Sequence, residues 1–155
     1  MIEHIWSVLC SRSVIDSESN NVSIQDVIEQ IIINAEPTEN GFLPFPLELI
    51  TLWGRKELDK PDSGTERVSF ITPSGKSTVI SESKIDLSKV ERHRHRVRFP
   101  GLPISEGGKY YFKVEMENGN KYNEMAAVPL VIQFQPQANP KDEQVEIRSE
   151  AKLAG

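Results

Sequence analysis

The sequence predicts an all-β chain folded as an antiparallel β-sandwich of about 7–9 strands. Three observations predict it. Tyr110, Phe112, Val114 and Met116 alternate with Lys109, Lys113, Glu115 and Glu117, the period of a strand with one dry face. Asn118-Gly119 follows, a pair that tolerates the positive φ a type I′ hairpin turn demands. Along the rest of the chain, short apolar runs are punctuated by Gly, Pro and Asn, with no strong helical pattern between them.

Taken in order, Ile2 to Val14 is apolar on both phases, with Ile2, Trp6, Val8 and Cys10 on one and Ile5 and Leu9 on the other. A strand covered on both faces, or one with a second subunit against it, has this pattern. Asp16 to Asn21 is a turn by composition. Val22 to Ile33 admits two readings. Ile24, Val27, Ile28, Ile31 and Ile32 fall on a helical stripe, and Ser23 with Asp26 would cap it. The density of Ile and Val favours instead a strand with a bulge at Gln25-Asp26. Asn34 to Pro46 is a proline-rich loop whose Phe42, Leu43 and Phe45 are expected to fold over one end of the core.

Leu47 to Leu58 and Arg67 to Thr72 read as strands on either side of the turn Asp59 to Gly64. Pro73 to Lys76 turns the chain into Lys76 to Leu87, whose Ser and Thr content suits a sheet edge. Arg92 to Pro100 is a further strand. It leads through a loop to the hairpin Lys109 to Phe134, in which Glu117 faces Asn120, Phe112 faces Met125, Tyr110 faces Ala127 and Lys113 faces Glu124. Pro129 lacks a ladder donor and places its strand at an edge or a bulge. Residues 1–134 therefore form the sandwich, immunoglobulin-like or C2-like, and residues 135–155 a polar, flexible tail with a marginal helix from Lys141.

The chain of 155 residues suits one such domain. Its net charge of -5 argues against a general nucleic-acid binder or a binder of acidic membranes. Cys10 has no second cysteine to pair with, and the opening residues, with Glu3 and His4, lack the charge pattern of a secretory signal. A cytoplasmic protein is expected.

The segments VLCSRSVIDSESNNVSIQDVIEQI, FLPFPLELITLW and GKYYFKVEMENG resemble those of a family of small, uncharacterised bacterial β-sandwich proteins. In that family two strands around a short acidic or Asn-rich turn open the chain, and a Gly-x-Tyr-x-Phe strand precedes the closing hairpin. The resemblance spans residues 1 to about 134. It implies the fold and carries over no activity and no site residue.

For chemistry, the densest stretch is Arg92 to Arg98. On a strand, Arg92, Arg94, Arg96 and Arg98 line one face, and His93, His95, Val97 and Phe99 the other. The arginines would bind an anionic ligand: phosphate, glycan or nucleic-acid backbone. The structural alternative is a solvated face met by Glu115, Glu117 or Glu82 from neighbouring strands, since opposite charges across strands stabilise by roughly 0.2–1 kcal/mol per pair. His93 and His95 would aim to one side as a metal pair. His4 is the only other histidine, however, and the flanking arginines repel a cation. Cys10, beside Trp6, Val8 and Leu9, reads as a buried inert thiol. Pro73-Ser-Gly-Lys76 lacks the spacing of a phosphate loop. Tyr110 reads as a core tyrosine tied down through its hydroxyl.

No catalytic motif is recognisable and no cofactor is implied. The expectation is a non-catalytic interaction or structural module that works by protein–protein contact, as a homo-oligomer or with a protein partner. The alternative is an anion binder acting through the Arg92–Arg98 face.

Overall fold

Alternating apolar side chains and β-branched runs need a dry face to pack against, and the chain meets that need with strands alone. The computed structural model describes residues 1–136 and 147–149. Its fold is all-β and sandwich-like. The strands are β1 (Ile2–Ile15), β2 (Val22–Val27), β3 (Gln30–Ile33), β4 (Phe42–Leu43), β5 (Leu47–Arg55), β6 (Asp62–Ile71), β7 (Ser77–Leu87), β8 (Arg92–Phe99), β9 (Leu102–Pro103), β10 (Gly108–Asn118), β11 (Lys121–Phe134) and β12 (Ile147–Ser149). They form a four-stranded sheet, β2-β1-β5-β8, a six-stranded sheet, β12-β3-β11-β10-β6-β7, and the pair β4-β9. The chain divides into two compact units. One comprises Met1–Val8, Leu49–Val97 and Tyr111–Val128, the other Leu9–Glu48, Arg98–Tyr110 and Pro129–Gly155.

In the first unit, β6 pairs antiparallel with β7 from Asp62↔Leu87 to Ile71↔Ser77, and with β10 from Met116↔Glu66 to Tyr111↔Ile71. The dry face collects Trp53, Val68, Phe70, Ile85, Leu87, Phe112 and Val114, all fully or almost fully buried. Phe70 and Phe112 pack with ring centroids 5.1 Å apart at 45°, a favourable tilted geometry. The polar β7 lies at the sheet edge, where its Ser and Thr placed it.

Two expectations in this unit need correction. Asp62 to Gly64 belong by composition to the turn expected over Asp59 to Gly64, yet they extend β6, because Asp62, Ser63 and Gly64 pair with Leu87, Asp86 and Ile85. The hairpin turn lies one residue later than Asn118-Gly119. β10 runs to Asn118 and β11 starts at Lys121, and at Gly119-Asn120 only Gly119 takes a positive φ, of 66°. That is the pattern of a type II′ turn, with glycine first, rather than type I′. Moving a two-residue turn by one position shifts the expected cross-strand partners by two, which keeps every side chain on its own face. Phe112, Val114 and Met116 are accordingly buried as the alternation requires.

In the second unit, β1 and β2 form a hairpin from Ile15↔Val22 to Cys10↔Val27. Asp16 holds its turn: Oδ1 accepts from the backbone N–H of Glu18 (2.9 Å) and Ser19 (2.7 Å), an Asx-type turn. Burial on β1 is less complete than its apolar phases suggested. Leu9 and Cys10 are buried, while Val14 is exposed. Val22 to Ile33 is strand and not helix, but a bulge is too small a description. Asp26 takes a φ of 49°, the Ile28 N–H reaches the Leu9 carbonyl at 2.9 Å, and the chain then leaves the four-stranded sheet. It enters the six-stranded one as β3, parallel to β11 with Val131↔Gln30 to Phe134↔Ile33.

Pro129 lies on an interior strand, not an edge. The Val131 N–H donates to the Glu29 carbonyl at 3.0 Å, so the side of Pro129 that lacks an N–H points where β3 has already run out. No ladder bond is lost there. Phe42 and Leu43 pair with Pro103 and Leu102. Leu43 is buried, but Phe42 remains 60% exposed, so only part of that loop covers the core. Of the 135–155 segment, Ile147–Ser149 form β12, antiparallel to β3, where a helix was expected. Residues 137–146 and 150–155 lie outside the described residues.

Gly101 is required by close approach of β4. A Cβ there would overlap the Leu43 carbonyl oxygen and come within 2.5 Å of the Phe42 ring. Gly101→Ala is expected to lower the unfolding free energy by about 1–3 kcal/mol through overpacking. Urea denaturation measures this, and an unchanged midpoint would contradict it.

Candidate functional site

The richest set of polar side chains in the first unit grows from one position on β6. Glu66 shares its phase with Val68 and Phe70, so the pleat carries its carboxylate to the dry side, where it is 1% exposed. A buried carboxylate needs donors for its oxygens, and it finds them on the other sheet. The Trp53 indole N–H of β5 donates to Oε2. His95 of β8 brings Nδ1 to 2.5 Å from Oε1. Indole nitrogen is only a donor, which fixes Oε2 as acceptor, and the close Oε1 assigns a hydrogen to Nδ1 of His95. The network continues outward. His4 meets the Trp53 ring edge-on, with centroids 5.4 Å apart. Its Nε2 lies 2.8 Å from the Ser7 hydroxyl, which lies 2.8 Å from the Thr51 hydroxyl. Burial pushes the His4 pKa below the usual imidazole value, and the nearby Glu66 charge offsets part of that.

This arrangement orients the His95 imidazole between two sheets. Among the described residues, however, no group of three or more His, Cys, Asp and Glu side chains converges in a way that would hold a metal ion. His93, the second histidine of the expected pair, is half-buried on the same strand.

The four arginines of the stripe alternate along β8. Arg92, Arg94 and Arg96 belong to the first unit and Arg98 to the second. Arg92 is exposed, whereas Arg94 and Arg96 are half-buried. In the second unit, Arg98 Nε donates to Glu48 Oε2 at 3.2 Å. Glu48 Oε1 also accepts from the Ser13 hydroxyl. Glu115, one of the carboxylates expected to face the stripe, has partners on β6 and β10. Glu115 takes Arg67 at 2.8 Å and Lys113 at 3.3 Å, and Arg67 stacks 3.8 Å over the Tyr122 ring. The Arg67 hydrogen bond, helped by Lys113, holds the Glu115 carboxyl below its usual range. Two residues of β8 do meet acids, Arg98 with Glu48 and His95 with Glu66.

Sequence reasoning missed both of these acids, although a signal was there. Glu48 stands inside the apolar run Leu47 to Ile50, and Glu66 precedes Val68 and Phe70 at the strand period. A charge on a dry phase marks a buried partner. Two further readings hold. Cys10 is buried, and its thiol is pushed up to about 11 by desolvation and by the Glu48 charge, so it is no nucleophile. The Tyr110 hydroxyl donates to the Glu106 carbonyl at 2.6 Å.

No family model matches the chain, and no curated protein matches it. Among solved structures, the chain is similar to an immunoglobulin-like protein from Pseudomonas aeruginosa, at 11% identity and a TM-score of 0.36. That match covers 86% of this chain and 97% of the other. It is also similar to the N-terminal domain of PorA, at 15% identity and a TM-score of 0.27, covering 84% of this chain and 98% of the other.

Two outcomes test the network. Glu66→Leu strands the Trp53 N–H and the His95 imidazole, and is expected to cost about 2–4 kcal/mol of stability. Glu66→Gln, which keeps an acceptor for Trp53, is expected to cost less, and equal losses in urea titrations would contradict the bonding described. For His4, a folded pKa below 6.5 means that the unfolded chain binds the proton more readily. Acidification from neutral pH through 6.5 therefore removes stability, down to the depressed folded value. His4→Gln is expected to shrink the difference between urea midpoints at pH 7.5 and 5.5, and an unchanged difference would exclude His4 as its source.

Proposed function

We propose that the chain is a non-catalytic interaction module that works by protein–protein contact, as a homo-oligomer or as a component of a larger assembly. We group it with the small bacterial β-sandwich proteins its sequence resembles. The observation that carries this reading is the contrast between its polar and apolar side chains. The groups best suited to chemistry, Glu66 with His95 and Glu48 with Arg98, are bound to each other, and their evident role is to tie strands together. Phe42, by contrast, is 60% exposed. It stands at the rim of a cavity of about 390 Å³ whose lining includes Leu43, Pro44, Ile104 and Phe134. An aromatic ring beside an apolar hollow is the composition of an interface anchor.

Light scattering coupled to gel filtration tests the proposal. Self-association that rises with concentration in the wild type and is weakened at least tenfold by Phe42→Ser is the expected result for a homo-oligomer. A strict monomer whose behaviour is identical in Phe42→Ser removes the homo-oligomeric form of the reading.

A further inference from the structure

The edge of β3 presents backbone where Phe42 presents a side chain, and its capacity to pair does not depend on Phe42 being an anchor. β3 is the run Gln30–Ile33, with Ile31, Ile32 and Ile33 all buried. One side of it pairs with β11. Its other side would be a row of unpaired N–H and C=O groups on a β-branched apolar strand, the type of edge that recruits another chain unless covered. The cover is β12, in the register Ile147↔Ile33, Arg148↔Ile32 and Ser149↔Ile31. It is short, at 3 residues, and a strand that short adds little stability of its own.

The tether permits more than one donor. β11 and β12 flank β3, so they lie about 10 Å apart, two strand spacings. Residues 135–146 join them and reach roughly 40 Å when extended. A tether several times longer than its gap delivers the same strand to its own β3 or to a neighbour's, with the same pairing in either case.

We propose that the outer edge of β3 is a strand-accepting site, occupied within one chain by its own Ile147–Ser149 and between chains by the same segment of a second copy. Recognition is by backbone pairing, with the strand added to the sheet edge.

The test uses a fluorescent peptide with the sequence of residues 143–153, added to the full-length wild type and to a full-length chain carrying Ile147→Pro and Arg148→Pro. Whichever way β12 faces, one of the two prolines removes an N–H directed at β3, and together they disfavour the strand while leaving β3 untouched. Fluorescence anisotropy is expected to show the peptide binding the variant at least tenfold more tightly than the wild type, whose edge is filled. Binding to neither, or equally to both, overturns the proposal. Hydrogen exchange on the wild type provides a measurement independent of the variant's folding. Slowed exchange of the amides that β12 directs at β3 is expected, and exchange at the rate of an unstructured peptide throughout Ile147–Ser149 overturns it. Phe42→Ser leaves this edge intact, so a failure here and a failure of the Phe42 anchor are told apart.

Discussion

Removing a carboxylate from water costs several kcal/mol unless its oxygens are met inside the protein, and Glu66 imposes that condition on the first unit. Its donors come from two different strands of the opposite sheet, Trp53 on β5 and His95 on β8. Satisfying it therefore fixes how those strands face β6. A slip of one residue in β6 would turn the carboxylate to solvent and strand the indole N–H, so the polar node selects a register that apolar packing alone specifies less sharply. The second unit meets the same condition within one sheet. Glu48 on β5 draws Ser13 from β1 and Arg98 from β8, the two strands that neighbour β5 in the sheet.

These nodes bear on function through what they leave over. His95 has the residue type and the orienting acid of a proton-transfer group, but the acid that orients it also accepts from Trp53. Arg98 has the charge of an anion contact, but it neutralises Glu48. The chain spends its most reactive combinations on strand placement. Phe42 exposes apolar area instead, and in the proposed reading that area, with the strand-pairing edge of β3, is the means of association.

Much of the fold was legible because its signals were local. The alternation from Tyr110 to Met116 located β10 and its dry face, and the Ser and Thr of β7 located an edge. What escaped depended on pairing distant in sequence. Asp62 to Gly64 reads as turn until Leu87 and Ile85 are set opposite. Val22 to Ile33 carries enough β-branched residues to favour strand over helix, but nothing in its period announces a change of sheet; that rests on the positive φ of Asp26. The hairpin turn moved by one residue because Gly119 can open a type II′ turn as readily as it can close a type I′. At the site, alternation placed His95 correctly on β8. Its partner escaped because many carboxylates were available, and the one cue to Glu66 was its place on the phase of Val68 and Phe70.

The thiol of Cys10 has a practical consequence. It is fully shielded, with its sulfur 3.6 Å from the Glu48 carbonyl, and its raised pKa leaves little thiolate at neutral pH. Alkylating reagents should reach it only when the surrounding strands part. The chain thus contains a natural clock for opening events, and its modification rate under native conditions would count them without an added label. Cysteines introduced at the surface could be modified selectively while this one stays silent.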